Sequence, residues 1–154
     1  MTQKWLKRFM ELTKMFGSWS KDPSRGVGAV ILNEDKIVVS MGYNGLPRNC
    51  RDDIEERYVK PAKLLYTEHA ERNALYHASR LGVSVKGCTM FASLFPCADC
   101  ARGMIQSGIT QLVTVRPDYL DDTWGKSWSA AFDMMREAKI SIIFLDKTTY
   151  EIEL

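Results

Sequence analysis

One histidine, one glutamate and two cysteines have the types and the spacing of a metal-dependent catalytic site. His69 precedes Glu71 by two residues, and Cys97 precedes Cys100 by three. One imidazole and two thiolates, beside an acid that need not bind the metal, are the ligand set of a catalytic zinc ion with an open fourth position. A water molecule in that position is activated as a nucleophile. These four residues therefore predict a Zn2+ cofactor and hydrolytic chemistry.

Both pairs need a helix N-terminus to reach a single ion. Residues two apart on a regular helix do not face each other. His69 and Glu71 can share a metal only if it lies beyond the helix end, toward which first-turn side chains lean. Cys97 and Cys100 lie on one face of the first turn of a second helix. The helix dipoles and free N–H groups stabilise thiolates and lower the thiol pKa from its ordinary value of about 8.5.

Glu71 has the chemistry of a proton shuttle. A carboxylate that is free of the metal takes a proton from the zinc-bound water and passes it to the ring nitrogen of an aminated heterocycle. Hydroxide attacks the carbon that bears the amino group, and the same carboxyl group then protonates the departing amino group, which leaves as ammonia. One acid serves both steps because it alternates between base and acid. Because the H-x-E and P-C-x-x-C motifs match the signature of zinc deaminases, the expected reaction is the hydrolytic deamination of a heterocyclic ring.

The rest of the chain predicts the elements that position this site. Apolar spacing predicts helices over residues 3–18, 67–81, 97–107 and 124–137, and strands over 27–32, 36–41, 88–93, 111–115 and 140–145. Thr67 is the expected N-cap of the second helix, and Pro96 stands at the start of the third. Residues 42–47 are expected to form a loop, and 48–66 a charged, irregular excursion. Helices and strands that alternate after an opening hairpin indicate a layered α/β sheet.

Composition limits the classes of function. A chain of 154 residues with 45% hydrophobic and 26% charged residues is expected to form a single domain, 1–154. The formal charge of only +2 argues against nucleic acid as the partner. No apolar run approaches the roughly 20 residues of a membrane span, and no signal peptide is recognised. Without secretory context, C-x-x-C favours metal binding or a redox role over structural disulfides, so we expect a cytoplasmic protein.

The motifs also resemble those of a known family. H-x-E followed by P-C-x-x-C is the signature of zinc deaminases that act on nucleobases. Nearly end to end, the chain resembles the deoxycytidylate (dCMP) deaminases of the cytidine deaminase superfamily. The segments that carry this resemblance are 20–23, 27–29, 42–45, 50–53, 69–71, 85–88, 94–97 and 105–109. The resemblance implies a three-layer α/β/α cytidine deaminase-like fold, in which a mixed five-stranded sheet is flanked by helices.

The resemblance also implies roles for residues. His69, Cys97 and Cys100 would bind zinc and Glu71 would be the proton shuttle. Asn44 would hold the sugar or the base, and the backbone of Ala70 would help to clamp the pyrimidine. The substrate contacts assigned in addition are Phe95, Tyr119, Arg72 and Trp124. The resemblance further implies a homo-oligomer, from a dimer to a hexamer, and, as in some family members, control by dCTP and dTTP.

Two departures from the family pattern leave alternatives open. Arg72 stands where many members carry an apolar residue, and it either meets a phosphate or faces solvent. After the fourth strand, the usual Tyr-His-Asp is replaced by residues 118–128, which include Trp124 and Trp128. These tryptophans either stack on a flat ring or form a hydrophobic lid or subunit contact.

The predicted function is hydrolysis of dCMP to dUMP and ammonia. The alternative keeps the same zinc chemistry and moves it to a nucleoside or a free base, such as a cytosine-like or isocytosine-like base or an amino-triazine. A nucleic-acid deaminase or binding module, as in the tRNA adenosine deaminases, is disfavoured by the near-neutral charge. A non-catalytic zinc module would need a fourth protein ligand. The spare candidates, His77, Cys50 and Cys88, form no second paired motif.

Overall fold

The computed structural model describes residues 1–153, so the expected domain end at residue 154 lies outside the described part of the chain. The helices are α1 (Gln3–Gly17), α2 (Lys63–Tyr66), α3 (Ala70–Leu81), α4 (Ala98–Gln106) and α5 (Gly125–Glu137). The strands are β1 (Gly28–Leu32), β2 (Val38–Tyr43), β3 (Thr89–Ala92), β4 (Gln111–Val115) and β5 (Ser141–Leu145). Within the described residues, none of the helices has both the length and the apolar character that a membrane span requires.

The strands form one mixed sheet in the order β2-β1-β3-β4-β5. β1 is antiparallel to both β2 and β3, whereas β3, β4 and β5 are parallel to one another. The opening hairpin and the later parallel crossovers are as predicted. The mixed five-stranded sheet is confirmed.

The side chains of β1 alternate between two hydrophobic cores. Ala29 and Ile31 pack in a cluster with residues of α3, α4 and α5, whereas Val30 and Leu32 pack in a second cluster with α1. Successive side chains of a strand point to opposite faces of the sheet. One helix therefore covers one face and three helices cover the other. The predicted three-layer α/β/α fold is confirmed.

The second strand lies two residues later than predicted. It was expected over 36–41 but spans Val38–Tyr43, because the preceding turn continues through Lys36, whose φ is 65°. The first two residues of the loop predicted over 42–47 therefore belong to the strand. A Cβ atom on Gly42 would lie 2.4 Å from the carbonyl oxygen of Ala70, so glycine allows α3 to approach the sheet here.

The helix that carries Glu71 begins later than predicted. Thr67 is not its N-cap: its backbone is extended, and it follows directly on α2. Glu68 exchanges two backbone hydrogen bonds with Gly45, which holds this part of the chain away from helical geometry. The residue at the N-cap position is His69. The other predicted helices and strands agree with the structure within two residues at each end.

The excursion of residues 48–66 is largely irregular, as predicted. It contains a short 3-10 turn, Glu55–Tyr58, and the single turn α2. Several of its apolar side chains are exposed, including Leu65 at 85%.

Candidate active site

Two helix N-termini converge on one point. His69 and Cys97 occupy the N-cap positions of α3 and α4, and Glu71 and Cys100 lie in the first turns. Neither N-cap side chain caps its own helix. The amide of Ala98 instead donates to the hydroxyl of Ser127 on α5, at 2.9 Å. The thiol of Cys97 is therefore not needed as a cap and is free to bind a metal.

The three predicted ligand side chains have the separations of a tetrahedral zinc site. Nδ1 of His69 lies 3.4 Å from Sγ of Cys97 and 3.5 Å from Sγ of Cys100. Tetrahedral zinc with Zn–S of about 2.3 Å and Zn–N of about 2.0 Å places sulfur and nitrogen about 3.5 Å apart. The donor set and its spacing both fit zinc.

Within residues 1–153, these three residues form the one group with metal-binding geometry. Cys88 is buried immediately before β3, and Cys50 is exposed on the excursion. His77 is engaged elsewhere, since Nδ1 contacts the carbonyl oxygen of Met41 at 2.6 Å and Nε2 lies 2.9 Å from Arg48. The described residues thus provide three ligands, whereas a purely structural zinc site needs four.

The two thiols differ in acidity. The pKa of Cys97 is lowered to about 4, first by the neighbouring Cys100 thiol and then by His69. The pKa of Cys100 is raised, first by the neighbouring Cys97 thiol and then by burial. The hydrogen bond to Cys97 also raises the pKa of His69. Metal binding must displace these protons, because zinc takes thiolates and a neutral imidazole.

Glu71 lies beside the ligands without joining them. Its side chain is buried, with 3% of the residue exposed, and Oε2 accepts a long hydrogen bond of 3.5 Å from the Cys100 thiol. Burial raises the pKa of Glu71, and the nearby His69 partly opposes this. A carboxyl group with a raised pKa holds and releases protons more readily near neutral pH, as a proton shuttle must.

A cavity of about 400 Å³ opens beside these groups. Its volume is within the range of small-molecule sites. The lining residues are Asp22, Ser24, Arg25, Val27, Asn44, Lys60, Lys63, Leu64, Thr67, His69, Ala70, Glu71, Leu94, Phe95, Cys97, Asp121, Thr123, Trp124 and Trp128. We call His69, Glu71, Cys97 and Cys100 the metal end of the site, and Arg25, Lys60 and Lys63 its cationic end.

Four of the six predicted substrate contacts line the cavity. They are Asn44, Ala70, Phe95 and Trp124. The ring of Trp124 lies edge-on to His69, with 6.0 Å between centroids, and stacks on Trp128. Trp128 in turn donates from its indole nitrogen to the carbonyl oxygen of Phe95, at 3.1 Å. The divergent segment after β4 therefore supplies an aromatic wall to the site.

Arg72 and Tyr119 are not among the cavity-lining residues, so their contacts with substrate stay predictions. The guanidinium of Arg72 pairs with Glu68 at 2.5 Å and approaches Asp99 at 3.6 Å, so carboxylates occupy it. Neither sequence-based alternative for Arg72, a phosphate contact or a solvent-facing side chain, describes this pairing. Tyr119 packs edge-on behind Phe95, with 6.4 Å between ring centroids.

Asn44 lines the cavity, yet its amide group is already engaged by protein. Oδ1 accepts from the amide of Val27 at 2.8 Å, while Nδ2 donates to Asp22 at 3.2 Å and to the carbonyl oxygen of Arg25 at 3.0 Å. Asn44 therefore organises the loop of residues 22–27, and one lone pair on Oδ1 is left for a ligand.

Sequence reasoning missed the cationic end and Thr67. The matched segment 20–23 was assigned no contact with substrate, and Lys60 and Lys63 lie in the excursion but outside its matched segment, 50–53. Thr67 lines the cavity, and its buried hydroxyl has no hydrogen-bond partner in the described part of the chain. The one available signal was the matched segment 20–23, which ends beside Ser24 and Arg25.

Comparison with known proteins agrees with this geometry. The family model "Cytidine and deoxycytidylate deaminase zinc-binding region" matches residues 3–116. The chain belongs to the cytidine and deoxycytidylate deaminase family. Its expected family and Zn2+ cofactor are thereby confirmed.

Relatives of this family cover most of the chain. The "uncharacterized deaminase in luxG 3′ region" of Aliivibrio fischeri is 39% identical over 150 residues, which are 94% of this chain and 96% of that protein. The deoxycytidylate deaminase of Homo sapiens is 35% identical over 135 residues, 84% of this chain and 75% of that protein. The dCMP deaminase of cyanophage S-TIM5, solved with dCMP and dUMP, superposes with a TM-score of 0.76 at 20% identity, covering 94% of this chain and 99% of that one.

Proposed function

We propose that this protein hydrolyses dCMP to dUMP and ammonia. The observation that carries the proposal is the position of Glu71, buried and unligated beside three zinc-spaced donor atoms, at the wall of a cavity that also has a cationic end. Family membership supports the reaction class, and relatives named deoxycytidylate deaminase at 35% and 37% identity support the substrate.

At the metal end, His69, Cys97 and Cys100 would hold zinc, which when bound would lower the pKa of a water molecule to about 7 and so supply the nucleophile at neutral pH. Glu71 accepts a proton from water and delivers it to the ring nitrogen of cytosine, while the water oxygen forms a bond to the amine-bearing carbon. Glu71 then takes the remaining proton from the added hydroxyl group and passes it to the amino group as the C–N bond breaks. Water and dCMP thereby become dUMP and ammonia.

The pyrimidine is held between the aromatic wall and the start of α3. Phe95 and Trp124 offer flat apolar surface to the ring, and the backbone of Ala70 supplies polar contacts on its edge. The hydroxyl of Thr67, buried without a partner among residues 1–153, gains one from the substrate. A buried hydroxyl without a partner is costly, so a ligand that satisfies it is favoured.

The cationic end favours a nucleotide over a free base. Arg25 and Lys60 form no ion pair with any carboxylate of the described residues, so their charges are available to a phosphate. The exposed hydroxyl of Ser24 lies in the same part of the lining. A free cytosine-like base or amino-triazine has no group that would use these charges.

The protein acts as a homo-oligomer in the cytoplasm. Exposed apolar side chains on the excursion, Val59 at 62% and Leu65 at 85%, support a contact between copies. The thiols must stay reduced to bind zinc, which a reducing compartment ensures. Light scattering of the purified protein gives the subunit number, and a monomer at micromolar concentration would contradict the assembly.

A substrate panel tests the proposed function. Ammonia release is measured from dCMP, deoxycytidine, cytosine, isocytosine and an amino-triazine with zinc-loaded protein. We expect dCMP to give the highest kcat/KM. Faster turnover of a free base than of dCMP would reject the nucleotide assignment, and no turnover of any of these compounds would reject the reaction class.

A further inference from the structure

Asp22 is a buried carboxylate that belongs to no catalytic step. Its side chain is 2% exposed and lines the cavity. Oδ1 accepts from the amides of Ser24 at 2.8 Å and Arg25 at 3.3 Å, and Oδ2 accepts from Nδ2 of Asn44 at 3.2 Å. One carboxylate thus fixes the turn that presents Ser24 and Arg25, together with the strand end that carries Asn44.

Lys63, from a distant part of the chain, forms an ion pair with this carboxylate. Its ammonium lies 2.6 Å from Oδ2 and 2.8 Å from Oδ1 of Asp22, and its side chain is only 17% exposed. Lys63 begins α2, and the cavity-lining Lys60 lies three residues before it. The ion pair therefore ties the excursion to the turn that carries Arg25.

A second ion pair joins the same two segments without reaching the cavity. Lys21 lies 2.6 Å from Asp52, but the two side chains are 64% and 52% exposed, and neither residue lines the cavity. Exposed pairs contribute little energy, whereas removing one partner of a buried pair leaves a charge without compensation. The buried pair is thus the one placed to hold the cationic end in position.

We propose that Asp22 and Lys63 are positioning residues for substrate selection: their ion pair holds Arg25 and Lys60 at one end of the cavity, so that the enzyme prefers a nucleotide to the corresponding nucleoside. The inference rests on the proposed nucleotide substrate. The two residues need not touch the reacting ring, so their effect falls on the binding of the phosphate rather than on the chemical step.

Three variants separate this role from a general role in stability. Lys63→Met keeps the length of the side chain and removes its charge. Asp22→Asn keeps an oxygen that can accept from Ser24 and Arg25 but loses the ionic partner of Lys63. Lys21→Met is the matched control, because it breaks the exposed ion pair between the same segments. Each variant is purified with zinc, and its zinc content and thermal midpoint are measured first.

The expected result is a selective loss. KM for dCMP rises about 10-fold to 100-fold in Lys63→Met and in Asp22→Asn, as a misplaced binding group produces. The kcat for dCMP and the kcat/KM for deoxycytidine change less than about 3-fold, and Lys21→Met resembles the wild type. KM for dCMP in the double variant is no higher than in the more impaired of the two single variants, because both substitutions break the same ion pair.

Product binding provides an independent measurement if deoxycytidine turns over too slowly. Dissociation constants for dUMP and deoxyuridine are measured by tryptophan fluorescence, since Trp124 lines the cavity. Weaker binding of dUMP alone supports the inference. An equal loss for both ligands, no loss for either, or the same loss in Lys21→Met overturns it. If the wild type neither binds nor turns over dCMP, the proposed function itself is wrong. If the wild type is active on dCMP and Lys63→Met behaves like it, only the inference about the ion pair is wrong.

Discussion

The metal end and the cationic end share one cavity but are built in different ways. The metal end comes from two helix N-termini, each of which carries a short motif: His69 with Glu71 two residues later, and Cys97 with Cys100 three residues later. The cationic end comes from a turn and an irregular excursion, and an ion pair across 41 residues joins them. The residues proposed for the chemistry therefore lie in short motifs, whereas those of the cationic end are brought together by long-range contacts between irregular segments.

Removal of zinc should have the largest effect, because it abolishes the metal end. We expect dialysis against a strong chelator to eliminate ammonia release, and re-addition of zinc to restore it. The zinc content should also fall as the pH is lowered, since protons compete for the three ligands. Metal analysis and activity are measured on the same samples. Full activity in metal-free protein would contradict the assignment of the metal end as a catalytic zinc site.

Glu71→Gln should be nearly as severe without loss of metal. The amide is of similar size but cannot carry protons, so kcat should fall by about 10²-fold to 10⁴-fold. Zinc content is expected to stay at one ion per chain, because Glu71 is not among the metal-spaced donors. The matched control is Glu68→Gln, which changes the neighbouring carboxylate that pairs with Arg72. A Glu71→Gln enzyme that loses its zinc would show that this residue is a ligand.

The metal end could be predicted from the sequence because its geometry is local. His69, Glu71, Cys97 and Cys100 were named from spacing alone, and the structure brings them together. The error in the start of α3 arose because Thr67 looks like an N-cap, while the backbone pairing of Glu68 with Gly45 cannot be seen in a local pattern. That pairing gives the N-cap position to His69.

The cationic end could not be predicted, because it is formed by contacts between segments that lie far apart in the chain. Asp22, Arg25 and Lys63 are ordinary surface residue types, and only the fold makes Asp22 a buried acceptor. The ion pairs of Arg72 with Glu68 and Asp99 could not be predicted either, because the sequence does not show which charged side chains lie next to one another in the fold.

Arg25→Met should weaken the binding of dCMP at the cationic end without changing the chemistry at the metal end. Loss of a charge-assisted contact should raise KM for dCMP about 10-fold to 100-fold while leaving kcat nearly unchanged. Deoxycytidine should be unaffected, since it lacks the phosphate. Arg48→Met is the control, because that exposed arginine contacts His77 and lies outside the cavity lining. A fall in kcat without a change in KM would place Arg25 with the chemistry instead.

The smallest effect concerns acid stability at the cationic end. Burial raises the pKa of Asp22, but the hydrogen bonds from Lys63 and the two backbone amides outweigh it, so the pKa lies below its ordinary value. A lowered pKa in the folded state stabilises the protein above the unfolded pKa of about 3.9, and this stabilisation is lost as the pH falls through the folded value. The difference in unfolding free energy between the wild type and Asp22→Asn should therefore be constant from pH 7 to about 5 and shrink below about 4.

Urea unfolding at several pH values measures this difference. The effect of zinc loss at low pH cancels to first order, because both proteins share the metal end. In the Lys63→Met background the lowering of the pKa should disappear, since burial then dominates. A difference that grows on acidification, or that persists without Lys63, would show that the ion pair is not what keeps Asp22 charged.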